Sequence, residues 1–444
     1  ELYRYEDAFN HLIEEVAPIN EELVVSAEDY YFRGLIRRML GRLDDALSDF
    51  DASIERDPDY IPAYDGRGDI FAQREEWDRA IDAFDALLEL DDSLHNSLHD
   101  RASTKSNAGD LVGALEDFSK ALTLAPEDGL LWLNQASTLL RLGEREAAGE
   151  SFDQAVRFGP QIASAWARRG GFRFDEGDRE GARADLDQAV AVDPDSSFAW
   201  AERARFFERT GQLALALTDA TRAVELDPDW AGAWRQRGQI LARQGRFSRA
   251  LLDVNESLQL DDRESRTWSL RAQIFLSLGQ QGRAMSDVET ALELSAENAV
   301  AFAIRGRLHR LAERFEESME DLTAAAQLEP YRADLYYERA LVRARLDDPE
   351  GARADYDLAI ERDPDHDRAL TNRGWMSEQA GDLEAAEADY GRAIEANEAR
   401  WQAWLGIARL FEGRDPEIQR DALIQALPHL PTTAMRSQIE ASIE

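Results

Sequence analysis

Arginine recurs in this 444-residue chain at a fixed interval of 34: Arg33, Arg67, Arg101, Arg169, Arg203, Arg237, Arg271, Arg305, Arg339 and Arg373, broken at Gln135 and Ile407. Aspartate follows sixteen residues later at Asp49, Asp117, Asp185, Asp219, Asp253, Asp287, Asp321, Asp355 and Asp389, broken at Ala83 and Ser151. Each arginine falls beside apolar residues on one helical face, as in WRQRGQILARQG at 234–245. A charge there needs a partner or costs several kcal/mol. A guanidinium can fork onto a carboxylate through two parallel hydrogen bonds, which an ammonium cannot do. The pattern therefore predicts partly buried Arg–Asp bridges; the competing reading is a set of arginines lining a binding groove. The breaks favour pairing within one period, because Gln135 and Ser151 lose their charges together and only Arg67 is left without an acid.

Other chemistry is sparse. Of the six histidines, only His95 and His99 stand four apart, with Asp92 nearby, and no glutamate lies between them to make a metalloprotease motif. A surface pair is the simpler reading, and no metal or other cofactor is expected. Asp-Pro loops such as 57–60 and 363–367 suit helix ends better than calcium. No phosphate-cradling glycine loop and no Ser/His/Asp set is visible, so an enzyme is not expected. Without cysteine there is no disulfide, thiolate site or cysteine nucleophile, and no compartment is singled out.

A net charge of -38 argues against nucleic acid and anionic membrane surfaces as partners. No apolar run is long enough to span a bilayer, so direct membrane insertion is not expected. Only Lys105 and Lys120 are lysines, which fits codon bias in a GC-rich genome or a salt-adapted proteome. The chain starts at Glu1 rather than Met, so an initial segment is expected to be missing. A soluble protein is expected, cytoplasmic or, after removal of a signal peptide, extracytoplasmic.

The elements that place the arginines follow from the rest of the period, counted from Ala27. Position 4 is large, from Tyr30 through Trp234 to Trp404, and position 8 is glycine or alanine in all twelve units. Position 20 is alanine from Ala46 to Ala386 except at Ser318, and position 32 is often proline. Positions 4, 8 and 11 make the stripe of a first helix, and glycine near position 15 ends it in a left-handed cap. Positions 17, 20, 24, 27 and 28 make the stripe of a second helix, which proline at 32 cannot prolong. Such a hairpin cannot bury its face alone and must stack on its neighbours.

This pattern resembles the tetratricopeptide repeat, and the resemblance covers residues 27 to about 412. It implies an all-α fold: a right-handed α-solenoid of about 12 helix hairpins whose concave side binds peptides or partner proteins. In the family, positions 2, 5, 9, 12 and 13 face that side. Here they include Glu28, Asp65 and Asp69 early in the chain, and Leu130, Leu133 and Leu140 in the fourth unit. Later units carry Arg205, Arg209, Arg235, Arg243, Arg307, Arg310 and Arg345, followed by Tyr337, Leu341 and Trp375. A strongly acidic chain is thus expected to hold a basic inner stretch for an acidic, extended peptide, with aromatic and leucine pockets beside it. The competing reading is a set of solvated helix faces balanced by nearby acids. Lysine at 5 with asparagine at 9, used by chaperone-tail binders in the family, is absent. So is an asparagine ladder at position 6, where only Asn134 and Asn372 stand.

Three regions are expected: an N-terminal capping helix and connection over 1–26, eleven full repeats over 27–400, and a degenerate twelfth repeat with a C-terminal capping helix over 401–444. The expected function is a non-catalytic scaffold for a protein or peptide partner. The alternatives are a self-assembling solenoid, with homo-oligomers or larger complexes, and a regulatory subunit of a multi-protein complex.

Overall fold

The computed structural model describes residues 26–443, and the N-terminal capping helix and connection expected over 1–26 lie outside them, Ser26 excepted. Among the described residues all regular structure is helical. The chain divides into two compact units, with the boundary in sequence between Leu226 and Asp227.

The first unit holds six helix hairpins: α1 (Ala27–Met39) with α2 (Leu43–Arg56), α3 (Ile61–Gln73) with α4 (Trp77–Leu90), α5 (His95–Ala108) with α6 (Leu111–Leu124), α7 (Gly129–Leu142) with α8 (Arg145–Phe158), α9 (Ala163–Asp175) with α10 (Arg179–Val192), and α11 (Ser197–Arg209) with α12 (Leu213–Leu226). The second unit holds five more: α13 (Ala231–Arg243) with α14 (Phe247–Leu260), α15 (Ser265–Ser277) with α16 (Gln281–Leu294), α17 (Ala299–Leu311) with α18 (Phe315–Leu328), α19 (Ala333–Arg345) with α20 (Pro349–Arg362), and α21 (Asp367–Gln379) with α22 (Leu383–Ala396). It closes with α23 (Trp401–Leu410), α24 (Pro416–Ala426), a short 3-10 turn and α25 (Thr433–Ile443). Asp415 caps α24 by accepting from Glu417 N and Ile418 N, as the Asp-Pro pair foretells. Within each unit every hairpin packs on the next.

Each of the eleven hairpins turns through a left-handed residue at position 15. Eight are glycines, from Gly41 to Gly381, and three are Glu75, Glu313 and Asp347 at φ near 60°. Several second helices are then capped by the aspartate that directly follows, Asp110 accepting from Gly113 N and Asp178 from Gly181 N. Alanines at positions 20 and 27, such as Ala46, Ala80, Ala121 and Ala189, are wholly buried and let the helices approach closely. Phe50 in α2 shows how tight the fit is. It lies between Gly34 of its own hairpin and Gly66 of the next, and a Cβ on either glycine would stand 2.6–2.7 Å from its ring.

Candidate partner-binding surface

The period-34 arginine belongs to the interior. In all nine hairpins that carry both residues, the position-7 guanidinium forks onto the position-23 carboxylate of the same hairpin. Arg237 Nε and Nη2 donate to Asp253 Oδ2 and Oδ1 at 2.7 and 2.8 Å, and Arg339 does the same to Asp355 at 2.8 and 2.6 Å. The carboxylates are buried: Asp253 is 6% exposed. Repeat 4 keeps the geometry without the charge, since Ser151 Oγ donates to Gln135 Oε1 at 3.1 Å. The groove-lining reading of these arginines is set aside.

The bridge has more parts than the 16-residue spacing reveals. The third guanidinium nitrogen, Nη1, reaches position 25 of the preceding hairpin: Arg101 to Asp85 at 2.6 Å, Arg203 to Asp187 at 3.0 Å, Arg373 to Asp357 at 2.8 Å. Arg67, without an acid in its own hairpin, pairs this way with Asp51 at 3.2 Å. The guanidinium also lies over the aromatic ring at position 4, as Arg237 does over Trp234 at 4.8 Å. That ring is held in turn: Trp234 Nε1 donates to the Pro228 carbonyl at 2.8 Å, and Trp132, Trp166 and Trp200 repeat the bond. Position 11 is not uniformly apolar. Arg37, Lys105, Arg173 and Arg343 stand there and share the same buried aspartates. Between its two cations, the Asp117 carboxyl is held below the usual range despite an opposing burial effect.

With the bridge occupying one side of each first helix, a partner would meet the other side. Here the structure bears on the sequence reading in two ways. Leu133 is 3% exposed and belongs to a core with Ala136, Phe152 and Val156. Position 5 is often a packing position: Ala167, Ala201, Ser269 and Ala303 are buried too. Leu130 of the same helix is exposed, and Leu140 is half-buried against that core. Second, most of the singled-out arginines are paired. Arg205 meets Glu202 at 3.1 Å and Arg209 meets Asp175 at 2.6 Å, its guanidinium also over Phe174. Arg235 meets Glu264 at 2.9 Å, and Arg307 and Arg310 converge on buried Glu338 at 2.9 and 3.1 Å. The acids come from a neighbouring hairpin or from positions such as 6 and 34, so the residues at 2, 5, 9, 12 and 13 of a single repeat do not show the pairing.

Some cations on this side keep no carboxylate among the described residues. Arg345 is exposed and unpaired, and so are Arg266 and Arg368 at position 2, which were not singled out. Arg243 is exposed. Tyr337 is half-buried, its ring 5.1 Å from His366 and 6.1 Å from Tyr356, and burial raises its hydroxyl pKa. Trp375 is 53% exposed. In the first three hairpins this side is acidic: Asp69 pairs with Arg38 at 2.6 Å, while Asp65 has no ion pair of its own among the described residues and Asp100 meets only the His99 imidazole at 3.6 Å. Burial, then repulsion within the trio, pushes Asp65 up to about 6 and Asp100 to about 7. His99 is tied up by Asn134 at 2.6 Å, and among the described residues no group of three His, Asp or Glu could share a metal ion. No described helix is long and apolar enough to cross a membrane.

A tetratricopeptide repeat family model matches residues 31–95, 99–162, 173–230, 209–267 and 337–398, more than half of the chain, and a second such model matches 265–298. The chain belongs to the tetratricopeptide repeat family. Its hairpins are those of a helical repeat protein, a class that serves protein interaction. No curated protein matches the chain in sequence. Among solved structures, the tetratricopeptide chain is similar to yeast Tom70, at 17% identity over 94% of each chain with a TM-score of 0.45. It is similar also to a tetratricopeptide repeat protein of Parabacteroides merdae, at 19% identity over 56% of this chain and 98% of that one, TM-score 0.46. A third is YrrB, described as having an unusual peptide-binding site, at 21% identity over 42% and 97%, TM-score 0.31.

Proposed function

We propose that this tetratricopeptide protein is a non-catalytic scaffold that holds an acidic, extended segment of a partner protein against the first-helix side of its hairpins. The observation that carries the reading is the set of side chains there that packing does not use: Arg345, Arg368 and Arg266 without carboxylate partners, beside the exposed Trp375 and half-buried Tyr337. Arg205, Arg209, Arg235, Arg243, Arg307 and Arg310 extend the basic character along each unit. Existing pairs do not prevent this role. An exposed pair such as Arg209–Asp175 is worth about 0–1 kcal/mol, so a carboxylate arriving on a peptide can replace the internal one at little cost. Glu338 is different: at 6% exposure and held by two arginines, it stays in place.

Affinity capture with mass spectrometry tests the reading. The wild type is compared with a variant carrying Arg205→Glu, Arg209→Glu, Arg235→Glu and Arg243→Glu and with one carrying Arg345→Glu and Arg368→Glu. Partners rich in acidic segments should be lost from both variants and weakened by salt. An identical partner set in all three refutes the basic surface, and no partner at all refutes the scaffold.

A further inference from the structure

A cavity of about 200 Å³ opens on the first-helix side of the second unit, between α21 and α23, with Tyr390 of α22 contributing to its lining. Ligand pockets for whole cofactors run to about 300–1,000 Å³, while 200 Å³ is the share of about seven liquid waters. The space suits one large side chain. Its apolar walls are Trp375, Tyr390, Trp401 and Leu405. They favour a ring, which stacks or meets edge to face at little entropic cost.

The polar groups narrow the choice. Arg409 is the one cation of the lining, and its Nε and Nη2 are already forked onto Glu378 at 2.9 Å each, so the site carries no net charge to recruit an ion. Asn372 donates to the Tyr356 hydroxyl at 3.1 Å, and Thr371 donates to the Asp367 carbonyl at 2.6 Å. Gln402 is left: its Oε1 is buried and meets no donor from the chain. A buried acceptor without a donor is costly, and a ligand that supplies one recovers that cost.

We propose that this pocket seats the side chain of a tyrosine or tryptophan from an extended peptide. The ring lies among Trp375, Trp401 and Tyr390, and the Gln402 carboxamide, whose Oε1 is covered by the chain as it stands, turns to accept its O–H or N–H. The proposal rests on the peptide-scaffold reading and gives it a specific anchor, one that recognises a neutral aromatic residue within an otherwise acidic segment.

Side-chain analogues test it without knowledge of the partner. In the full chain labelled with 15N, p-cresol and toluene present the same ring with and without a hydroxyl. Millimolar p-cresol should shift two of the ten indole N–H resonances saturably, those of Trp375 and Trp401, and bind several-fold more tightly than toluene. Trp375→Ala should abolish the shifts, with the other indole resonances reporting an intact fold. Gln402→Leu should bring p-cresol and toluene to equal affinity. The proposal is overturned by the absence of any saturable shift, by p-cresol binding that survives Trp375→Ala, or by a hydroxyl preference that survives Gln402→Leu. If p-cresol binds while charge reversal leaves the captured partners unchanged, only the acidic-partner reading falls. If p-cresol fails while capture responds to charge, only the pocket falls.

Discussion

Replacing Asp253 by alanine measures what the position-7 bridge contributes. The carboxylate accepts two charge-assisted hydrogen bonds from Arg237, at 2.7 and 2.8 Å, and its loss strands a guanidinium whose side chain is 17% exposed. Breaking a fully buried pair costs about 3–5 kcal/mol, because the remaining charge stays desolvated. Arg237 keeps some contact with water and its place over the Trp234 ring, which lowers the expected cost to about 2–4 kcal/mol. The neutral pair of repeat 4 supplies the control. Arg237→Gln with Asp253→Ser copies Gln135 and Ser151 and should cost at least 1 kcal/mol less than Asp253→Ala alone. Urea unfolding gives the total, and native-state hydrogen exchange in α13 and α14 localises it, since a repeat array loses stability where it is cut. A loss under about half a kcal/mol for Asp253→Ala, or a double variant as damaged as the single one, would refute the bridge as an internal brace.

Three further outcomes are expected. Glu75→Gly, Glu313→Gly and Asp347→Gly should each leave stability unchanged or raise it by up to about 1 kcal/mol in chemical unfolding: relief of left-handed strain of about 1–2 kcal/mol is partly offset by the entropy of the unfolded glycine. Gly66→Ala should destabilise by about 1–3 kcal/mol, because its Cβ would stand 2.7 Å from the Phe50 ring; thermal melting reads this directly. The third concerns Asp65 and Asp100, whose folded pKa values of about 6 and about 7 lie above the usual carboxylate range. Between pH 4 and 7 the folded state binds more protons than the unfolded one, so their ionisation costs stability as pH rises through this window. Asp65→Asn with Asp100→Asn should therefore raise the melting temperature at pH 8 and change it little at pH 4.5, an effect on the order of 1 kcal/mol after screening by solvent.

The hairpins, their left-handed turns and the Arg237–Asp253 type of pairing were legible in the sequence because each is fixed within one 34-residue period. The Arg67–Asp51 contact was not, since it crosses from one hairpin to the next and looks like an orphan when repeats are read singly. The candidate surface was read less well for the same reason. Whether Leu133 is a groove residue or core depends on Phe152 and Val156, which come from the second helix of its hairpin and close over it. Whether Arg307 is a free cation depends on Glu338, 31 residues on and at a position that the family pattern does not assign to the surface. The exposure of Trp375 and Arg345, though not any role in binding, was legible because no later segment of the chain covers them.

The neutral Gln135–Ser151 pair also bears on how a chain of near-identical parts finds its correct partners. Suppose a first helix docked against the second helix of the wrong hairpin, as in an exchange between neighbours. Over much of the chain every guanidinium would still find a carboxylate, and charge would not penalise the error. At repeat 4 it would: Gln135 placed against Asp117, or Arg169 against Ser151, leaves a charge buried without its counterpart. An uncharged rung within a charged series would thus penalise a slip by one hairpin that a uniform series would tolerate.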